Sequence, residues 1–198
     1  MDNNLNTANS QQFWDTRYQN NETGWDMNQV SPPLKNYIDT LTDTNLHILI
    51  PGCGNAYEAG YLLSKGFTNV TLIDIAPTLV NALKERFAGQ PINIIHGNFF
   101  EHNGQYDLML EQTFFCAINP ALRSNYVEKT WQLLKPHGRL AGLLFDTTFP
   151  QEGPPFGGSA KDYRALFAEK FTLLQFDACQ TSIAPRLGKE LFVELEKK

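Results

Sequence analysis

Residues 46–55 read LHILIPGCGN, and residues 70–74 read VTLID. Each begins as a short apolar run of the length of a buried strand, and each is followed by residues that suit a turn. Residues 55–65 between them have the pattern of a helix that ends at Lys65-Gly66. A strand, a helix and a strand in this order predict a βαβ unit with two parallel strands in one sheet.

The same alternation continues along the chain. Further strands are predicted at INIIHG, YDLMLE and RLAGLLF, with helices over residues 77–87 and 123–134. FTLLQFDAC and ELFVELE follow a helix at 160–170, and the segment between them is too short for a crossover helix, so they are expected to form an antiparallel hairpin. The predicted fold is α/β and Rossmann-like, a seven-stranded, mostly parallel sheet with an antiparallel C-terminal hairpin and helices on both faces.

Charge and hydropathy limit the possible partners. The 198 residues carry 16 Lys and Arg against 21 Asp and Glu, a net charge of −5, with no block of like charge. This argues against a nucleic-acid or anionic-membrane partner, since both require clustered cations. The apolar runs are too short to span a bilayer, and no secretion signal precedes Arg17. We expect a cytoplasmic, monomeric protein that acts on a small molecule.

The domain organisation is expected to be simple. Residues 1–12 are mostly polar and predict a disordered tail before one domain of residues 13–198, in which residues 13–45 form a helical lid segment. The histidines lack metal-ligand spacing and the cysteines form no CxxC pair, so we expect neither a metal site nor a disulfide framework.

The PGCGN turn, residues 51–55, has the composition of a ligand-binding turn. Its glycines let a ligand approach the backbone, and the helix that follows directs N–H groups at that ligand. Asp74 ends the neighbouring strand, where it can accept hydrogen bonds from both ribose hydroxyls of an adenosine. The alternative is a tight turn with a surface Asp that caps the next helix, and we favour the nucleotide.

The nucleotide is expected to lack phosphates. The dinucleotide motif GxGxxG requires glycine where Tyr57 stands, and no GxxxxGK[ST] loop is present. S-adenosylmethionine is therefore the candidate ligand, bound at the carboxyl edges of the first two strands.

Later strand ends carry further candidates. Asn98 and Phe99 follow the third strand. Either the Asn98 side chain contacts the amino group of the adenine and Phe99 packs against the adenine ring, or the two residues form an ordinary turn. Glu111 and Gln112 end the fourth strand, where the methyl group and the second substrate should meet. Phe114 and Phe115 follow them and either line an apolar pocket or pack in the core, the more frequent role of Phe.

An aromatic segment precedes the sheet. Trp14 and Tyr18 are four residues apart and share one face of a helix, and Trp25 follows. The segment is either an amphipathic helix that plugs the side of the sheet or a lid whose rings enclose the cofactor. Aromatic faces stabilise a desolvated cation such as a sulfonium.

Several longer motifs carry a family resemblance. The chain contains FWDTRY, TGWD, IPGCGNAYE, LIDIA, TFFCAINPALRSNY, WQLLKPHG, EGPPF and APRLGKE. With these it resembles the thiopurine S-methyltransferase superfamily, and most closely its thiol and halide methyltransferase branch. The resemblance covers nearly the whole chain after the tail, and FFCAI-P together with GPP and RxGKE discriminates best.

The resemblance implies a role for each matched position. The N-terminal aromatics would cover S-adenosylmethionine, Gly52 would touch its methionine portion, Asp74 its ribose, and Asn98 and Phe99 its adenine. The residues expected to bind the cofactor are Trp14, Tyr18, Trp25, Gly52, Cys53, Gly54, Asp74, Ile75, Asn98, Phe99, Glu111 and Gln112. Those expected at the substrate pocket are Phe115, Phe145, Pro154, Phe156 and Arg186. Gln112 and Phe145 stand where relatives often carry tyrosine.

The expected reaction is in-line transfer of the methyl group to a small thiol, thiocyanate, hydrosulfide or halide anion. An anionic acceptor needs no general base, and no Cys–His or Ser–His pair offers one, so we expect no catalytic acid or base. The alternatives are a thiopurine or aromatic-thiol methyltransferase, a module that binds the cofactor without transfer, and a nicotinamide enzyme, which Tyr57 disfavours.

Overall fold

The structure is a computed structural model and describes residues 10–198. The strands are β1 (Ile48–Pro51), β2 (Val70–Asp74), β3 (Ile92–His96), β4 (Tyr106–Gln112), β5 (Leu134–Phe145), β6 (Phe171–Ala178) and β7 (Glu190–Lys197). The helices are α1 (Gln11–Gln19), α2 (Pro32–Ile38), α3 (Tyr57–Ser64), α4 (Pro77–Arg86), α5 (Arg123–Leu133) and α6 (Ala160–Phe167). Two short 3₁₀ turns lie at Phe99–Glu101 and Pro120–Leu122.

The seven strands form one sheet in the order β3-β2-β1-β4-β5-β7-β6. The first five pair in parallel, and β7 lies antiparallel between β5 and β6. The predicted sheet and its terminal hairpin are confirmed, although β5 begins at Leu134 rather than at Arg139. Because β1 to β5 are parallel, their carboxyl ends meet at one edge.

Two buried layers cover the faces of the sheet. Side chains of alternate residues in β1 point to opposite faces of the sheet, so Ile48 and Ile50 pack in one layer and Leu49 packs in the other. The first layer packs against α2, α3 and α4, and the second against α5 and α6. Helices therefore cover both faces, as predicted, and loops are left to shape the edge where the parallel strands end.

The N-terminal segment differs from the expectation at two points. Ser10 caps α1 by accepting a hydrogen bond from the Phe13 N–H at 3.2 Å, so the residues at 11 and 12 are helical rather than part of a tail. The rest of the predicted tail, residues 1–9, lies outside the described residues. Leu34 and Ile38 of α2 are fully buried, so this part of the predicted lid segment belongs to the core.

In the described part of the chain, no helix has both the length and the apolar character that a membrane span requires.

Candidate active site

A cavity of about 550 Å³ opens at the edge where β1, β2 and β4 end. One wall is the N-terminal segment, and the other is formed by the loops that follow β4 and β5 and the loop between β6 and β7. The structure brings together most of the predicted site residues in its lining: Trp14, Tyr18, Trp25, Gly52, Cys53, Gly54, Asp74, Ile75, Asn98, Phe99, Gln112, Phe145, Pro154 and Arg186.

The turn after β1 forms the floor of this cavity. Gly52 and Gly54 have φ angles of +53° and +50°, a left-handed conformation that favours glycine. A Cβ atom on Gly52 would lie 2.2 Å from Cδ2 of Phe114, so no larger side chain fits without a shift. The turn therefore presents bare backbone to the cavity, which is what close approach of a ligand requires.

Asp74 is the carboxylate at the end of β2. Its two oxygens accept hydrogen bonds from the Ala76 N–H at 3.0 Å and, more weakly, from the Gly54 N–H at 3.4 Å. Burial raises the pKa of this carboxyl to about 6, and the backbone N–H groups oppose the rise. A buried carboxylate that lines a cavity suits a ligand with paired hydroxyl donors, such as a ribose.

The aromatic segment covers the same cavity. The rings of Trp14 and Tyr18 both meet Trp25 edge to face, with centroids 5.5 and 5.7 Å apart. The α1 helix is attached to α4 through Asp15, which accepts a hydrogen bond from the Thr78 N–H at 2.7 Å. The segment is thus a packed wall whose rings face the ligand space.

Asp26 is a cavity residue that the sequence analysis missed. Its carboxylate accepts hydrogen bonds from the Asn55 side chain and from the Tyr57 hydroxyl, the latter at 3.2 Å. In the sequence Tyr57 stands out only as an obstacle to a pyrophosphate, whereas in the structure it also orients this carboxylate. Asp26 lies in the TGWD motif, which was the available signal.

Asn98 lines the cavity, and both polar atoms of its side chain make hydrogen bonds within the protein. Its Oδ1 accepts from the Phe100 N–H at 3.0 Å, and its Nδ2 donates to Glu101 at 3.1 Å, so it caps the short turn that follows β3. A contact of Asn98 with adenine stays a prediction.

Glu111 does not line the cavity, contrary to the expectation of a cofactor contact. It is fully buried, and its Oε1 accepts from the N–H groups of Phe114 and Phe115 at 2.8 Å each. Its Oε2 accepts from the Tyr126 hydroxyl at 2.7 Å. Side chains alternate along a strand, so the neighbour of an outward residue points inward. Glu111 thereby anchors the loop that forms one wall of the cavity.

Two predicted pocket residues also lie elsewhere. Phe115 is buried in the core, with its ring 5.0 Å from that of Tyr126 and 5.4 Å from that of Tyr163. Phe156 does not line the cavity, and its N–H donates to the carbonyl of Cys116 at 2.7 Å. The core alternative for Phe115 is thus confirmed, and Phe114 takes the cavity position.

Glu111→Gln is expected to change the pH dependence of stability. Burial raises the pKa of Glu111 from 4.5 to about 7, so between these values the folded state binds more protons than the unfolded state. Stability therefore falls as pH rises through this window. The amide keeps an acceptor for both N–H groups but replaces the acceptor of the Tyr126 hydroxyl by a donor. The variant should therefore lose this pH dependence, and its stability relative to the wild type should rise by up to about 3 kcal/mol between pH 5 and pH 8. Urea unfolding at pH 5 and pH 8 measures this, and an unchanged pH slope would contradict it.

At the far end of the cavity, the Arg186 guanidinium lies beside an apolar ring. Arg186 donates from Nη2 to the Trp25 carbonyl at 2.7 Å, and its guanidinium lies 5.8 Å from the ring centroid of Phe145. Its Nη1 lies 3.6 Å from Glu190 and has no hydrogen-bond partner. Lining residues that the sequence did not predict here include Thr113, Cys116, Phe149 and Lys189.

Comparison with known proteins identifies the family. The profile of the family described as thiopurine S-methyltransferase matches residues 9–194, nearly the whole chain. The chain belongs to the thiopurine S-methyltransferase family. It is accordingly an enzyme that transfers a methyl group from S-adenosylmethionine, and the predicted resemblance and cofactor are confirmed.

Relatives within and beyond the family agree with this assignment. The chain is 28% identical over 193 residues to a probable thiol methyltransferase 2 of Arabidopsis thaliana, covering 94% of this chain and 85% of the relative. It is 27% identical to a thiocyanate methyltransferase 1 of Brassica oleracea (89% and 81% covered) and 29% identical to a thiopurine S-methyltransferase of Vibrio parahaemolyticus (91% and 92%).

A solved structure confirms the fold. The 1,6-didemethyltoxoflavin-N1-methyltransferase of Burkholderia thailandensis, with bound S-adenosylhomocysteine, superposes with a TM-score of 0.75 at 19% identity, covering 95% of this chain and 87% of that one. The residues of this chain fit S-adenosylmethionine, because three suitable features meet in one cavity. These are the turn at Gly52, which has no side chain, the buried carboxylate of Asp74, and the aromatic wall.

Proposed function

We propose that the chain methylates a small thiol, hydrosulfide, thiocyanate or halide anion. The observation that supports this is the end of the cavity that Arg186 lines. Its Nη1 makes no hydrogen bond, although it pairs with the buried Glu190 carboxylate at 3.6 Å, and the guanidinium lies 5.8 Å from the ring centroid of Phe145. A guanidinium donor beside an apolar ring can hold an anion away from water, which makes the anion a better nucleophile. The thiol and thiocyanate methyltransferases among the relatives support the same class of acceptor.

The cofactor is proposed to occupy the β1–β2 half of the cavity. Asp74 would accept from the ribose hydroxyls, and the backbone at Gly52 would approach the methionine portion. Asp26 would supply a carboxylate for the methionine ammonium, since it lines the cavity and is oriented by three donors, the side chains of Asn55 and Tyr57 and the Asn28 N–H. The rings of Tyr18 and Trp25 would face the sulfonium, which aromatic faces stabilise.

S-adenosylmethionine, when bound, would supply a sulfonium methyl group: the acceptor lone pair would form the new bond to its carbon, and the C–S electron pair would return to sulfur to leave a neutral thioether. The protein then has to align the acceptor with the methyl group, exclude water from the cavity and stabilise the negative charge of the bound acceptor. An acceptor that enters as an anion, including a thiol that has ionised in solution before it binds, requires no proton transfer from a side chain. Cys116 is not a nucleophile here, because burial raises the pKa of its thiol far above neutrality and keeps it protonated.

A panel of acceptors tests this proposal. Purified protein with S-adenosylmethionine is incubated with hydrosulfide, thiocyanate, iodide, a small alkyl thiol or an aromatic thiol, and release of S-adenosylhomocysteine is measured. We expect turnover with at least one of the anions or the alkyl thiol. Turnover with the aromatic thiol alone would move the assignment to a thiopurine-type enzyme. Cofactor binding with no turnover across the panel would indicate a module that binds without transfer.

The cytoplasmic location and the monomeric state of the protein stay predictions.

Arg186→Ala is expected to raise KM for an anionic acceptor by roughly 10- to 100-fold, because a charge-assisted interaction with the anion is lost. Lys189→Ala is the matched control: Lys189 also lines the cavity, but its Nζ donates to the Pro185 carbonyl at 3.2 Å. It removes the same charge and should change KM little. Because Arg186 also holds Trp25 and pairs with the buried Glu190, cofactor affinity and thermal stability are measured in both variants. Normal anion affinity in Arg186→Ala would contradict the role of the guanidinium.

A further inference from the structure

Gln112 ends the strand that divides the cavity. On one side of β4 lie β1, β2 and β3, whose ends carry Gly52, Asp74 and Asn98. On the other side lie β5, whose end carries Phe145, and β7, next to the loop that carries Arg186. The residue at the end of β4 therefore stands where the cofactor half meets the acceptor half.

The side chain of Gln112 has no partner within the described protein. Both Oε1 and Nε2 are buried, and neither makes a hydrogen bond. Neighbouring polar groups are already occupied: the Thr113 hydroxyl donates to the Gln112 carbonyl at 2.7 Å, and the Cys116 thiol donates to the Thr113 carbonyl at 3.3 Å. A buried amide without partners is costly, so an amide that lines a ligand cavity in this state indicates that the ligands complete it.

We propose that Gln112 orients the acceptor and selects for it, with Nε2 donating a hydrogen bond to the nucleophilic atom. The assignment of the two amide atoms follows from charge and rests on the proposed function. An anionic acceptor has only lone pairs to offer, so it pairs with the N–H donor. Of the two ligands, the sulfonium cofactor is the one with positive charge beside the transferred methyl group, so it suits Oε1.

The amide also discriminates between acceptors. An N–H donor that is desolvated gains most from a strong hydrogen-bond acceptor, and it stays poorly satisfied beside a large, weakly accepting anion. Gln112 should therefore favour hydrosulfide and thiolates over iodide. Its removal should reduce turnover of hydrosulfide and thiolates more than turnover of iodide.

The test measures binding as well as turnover. Thiocyanate is titrated by calorimetry into the complex of the protein with S-adenosylhomocysteine, for the wild type, Gln112→Leu and Gln112→Glu at pH 8.5. We expect Gln112→Leu to weaken thiocyanate binding roughly 10- to 100-fold, the range of one hydrogen bond to a charged group. Gln112→Glu has the same shape but replaces the donor by a negative charge, so it should bind thiocyanate more weakly still.

Cofactor affinity separates this role from a structural one. S-adenosylmethionine should bind Gln112→Glu at least as tightly as the wild type, because a carboxylate favours a sulfonium. Equal thiocyanate affinity in the wild type and Gln112→Leu overturns the proposal, as does a wild-type complex that binds no thiocyanate. A parallel loss of cofactor affinity and thermal stability in both variants also overturns it. If the wild type binds thiocyanate through Gln112 but methylates no acceptor, the proposed function fails and the assignment of Gln112 stands.

Discussion

Asp74→Ala is expected to weaken binding of S-adenosylmethionine by roughly 100-fold or more, because hydrogen bonds to a charged group contribute about 1.5–3 kcal/mol each and a ribose offers two donors. The structure gives Asp74 the position for this role. It is buried at the end of β2, lines the cavity and is fixed by the Ala76 N–H at 3.0 Å. Calorimetry with the cofactor measures the effect.

Asp74→Asn is the matched control. The amide has nearly the same shape and keeps one acceptor oxygen, so it should lose less affinity than Asp74→Ala. The pKa of about 6 adds a pH test: in the wild type, cofactor affinity should fall as pH drops below 6, because the protonated carboxyl accepts fewer hydrogen bonds. Asp74→Asn should lack this dependence. Equal affinity in the wild type and Asp74→Ala would remove Asp74 from the cofactor site.

Gly52→Ala is expected to lower the free energy of unfolding by about 2–5 kcal/mol, the sum of a left-handed backbone for a non-glycine residue and overpacking in a dense region. The new Cβ atom would lie 2.2 Å from Cδ2 of Phe114, and the residue has a φ of +53°. Any shift that relieves this clash moves the floor of the cavity, so cofactor affinity should also fall. Urea unfolding and calorimetry measure the two effects.

Gly60→Ala is the control for this substitution. Gly60 lies in α3, with open space where the alanine methyl group would lie and no positive φ. There the same change should stabilise the protein by about 0.5–1 kcal/mol, since alanine favours the helix. If Gly52→Ala and Gly60→Ala were equally stable and bound the cofactor equally, the tight contact between the turn and Phe114 would be ruled out.

The fold, and the residues of the cavity half where the cofactor is proposed to bind, could be predicted from local sequence patterns. Short apolar runs such as VTLID are long enough to identify as strands, and parallel strands place their ends at one edge. The turn glycines and Asp74 could therefore be assigned to one site without knowledge of the packing. Each of these residues follows its own strand directly, so the topology alone brings them together.

The residues that sequence analysis misplaced depend on side-chain direction or on distant contacts. Glu111 and Gln112 are adjacent, but one points into the core and the other into the cavity, and the pattern does not say which. Asp26 becomes a site residue through Tyr57, and Arg186 reaches Trp25 across 161 positions of sequence. Such contacts are set by the packing of loops, which have no repeating pattern to read.

The proposed acceptor class is tested most directly by following the methyl group itself. The purified protein is incubated with S-adenosylmethionine that carries a deuterated methyl group, together with hydrosulfide, thiocyanate or iodide, and the headspace is analysed by mass spectrometry. We expect labelled methanethiol, methyl thiocyanate or methyl iodide from at least one anion, in step with release of S-adenosylhomocysteine. No labelled volatile product from any anion, with labelled methyl on an aromatic thiol instead, would contradict the proposed acceptor class.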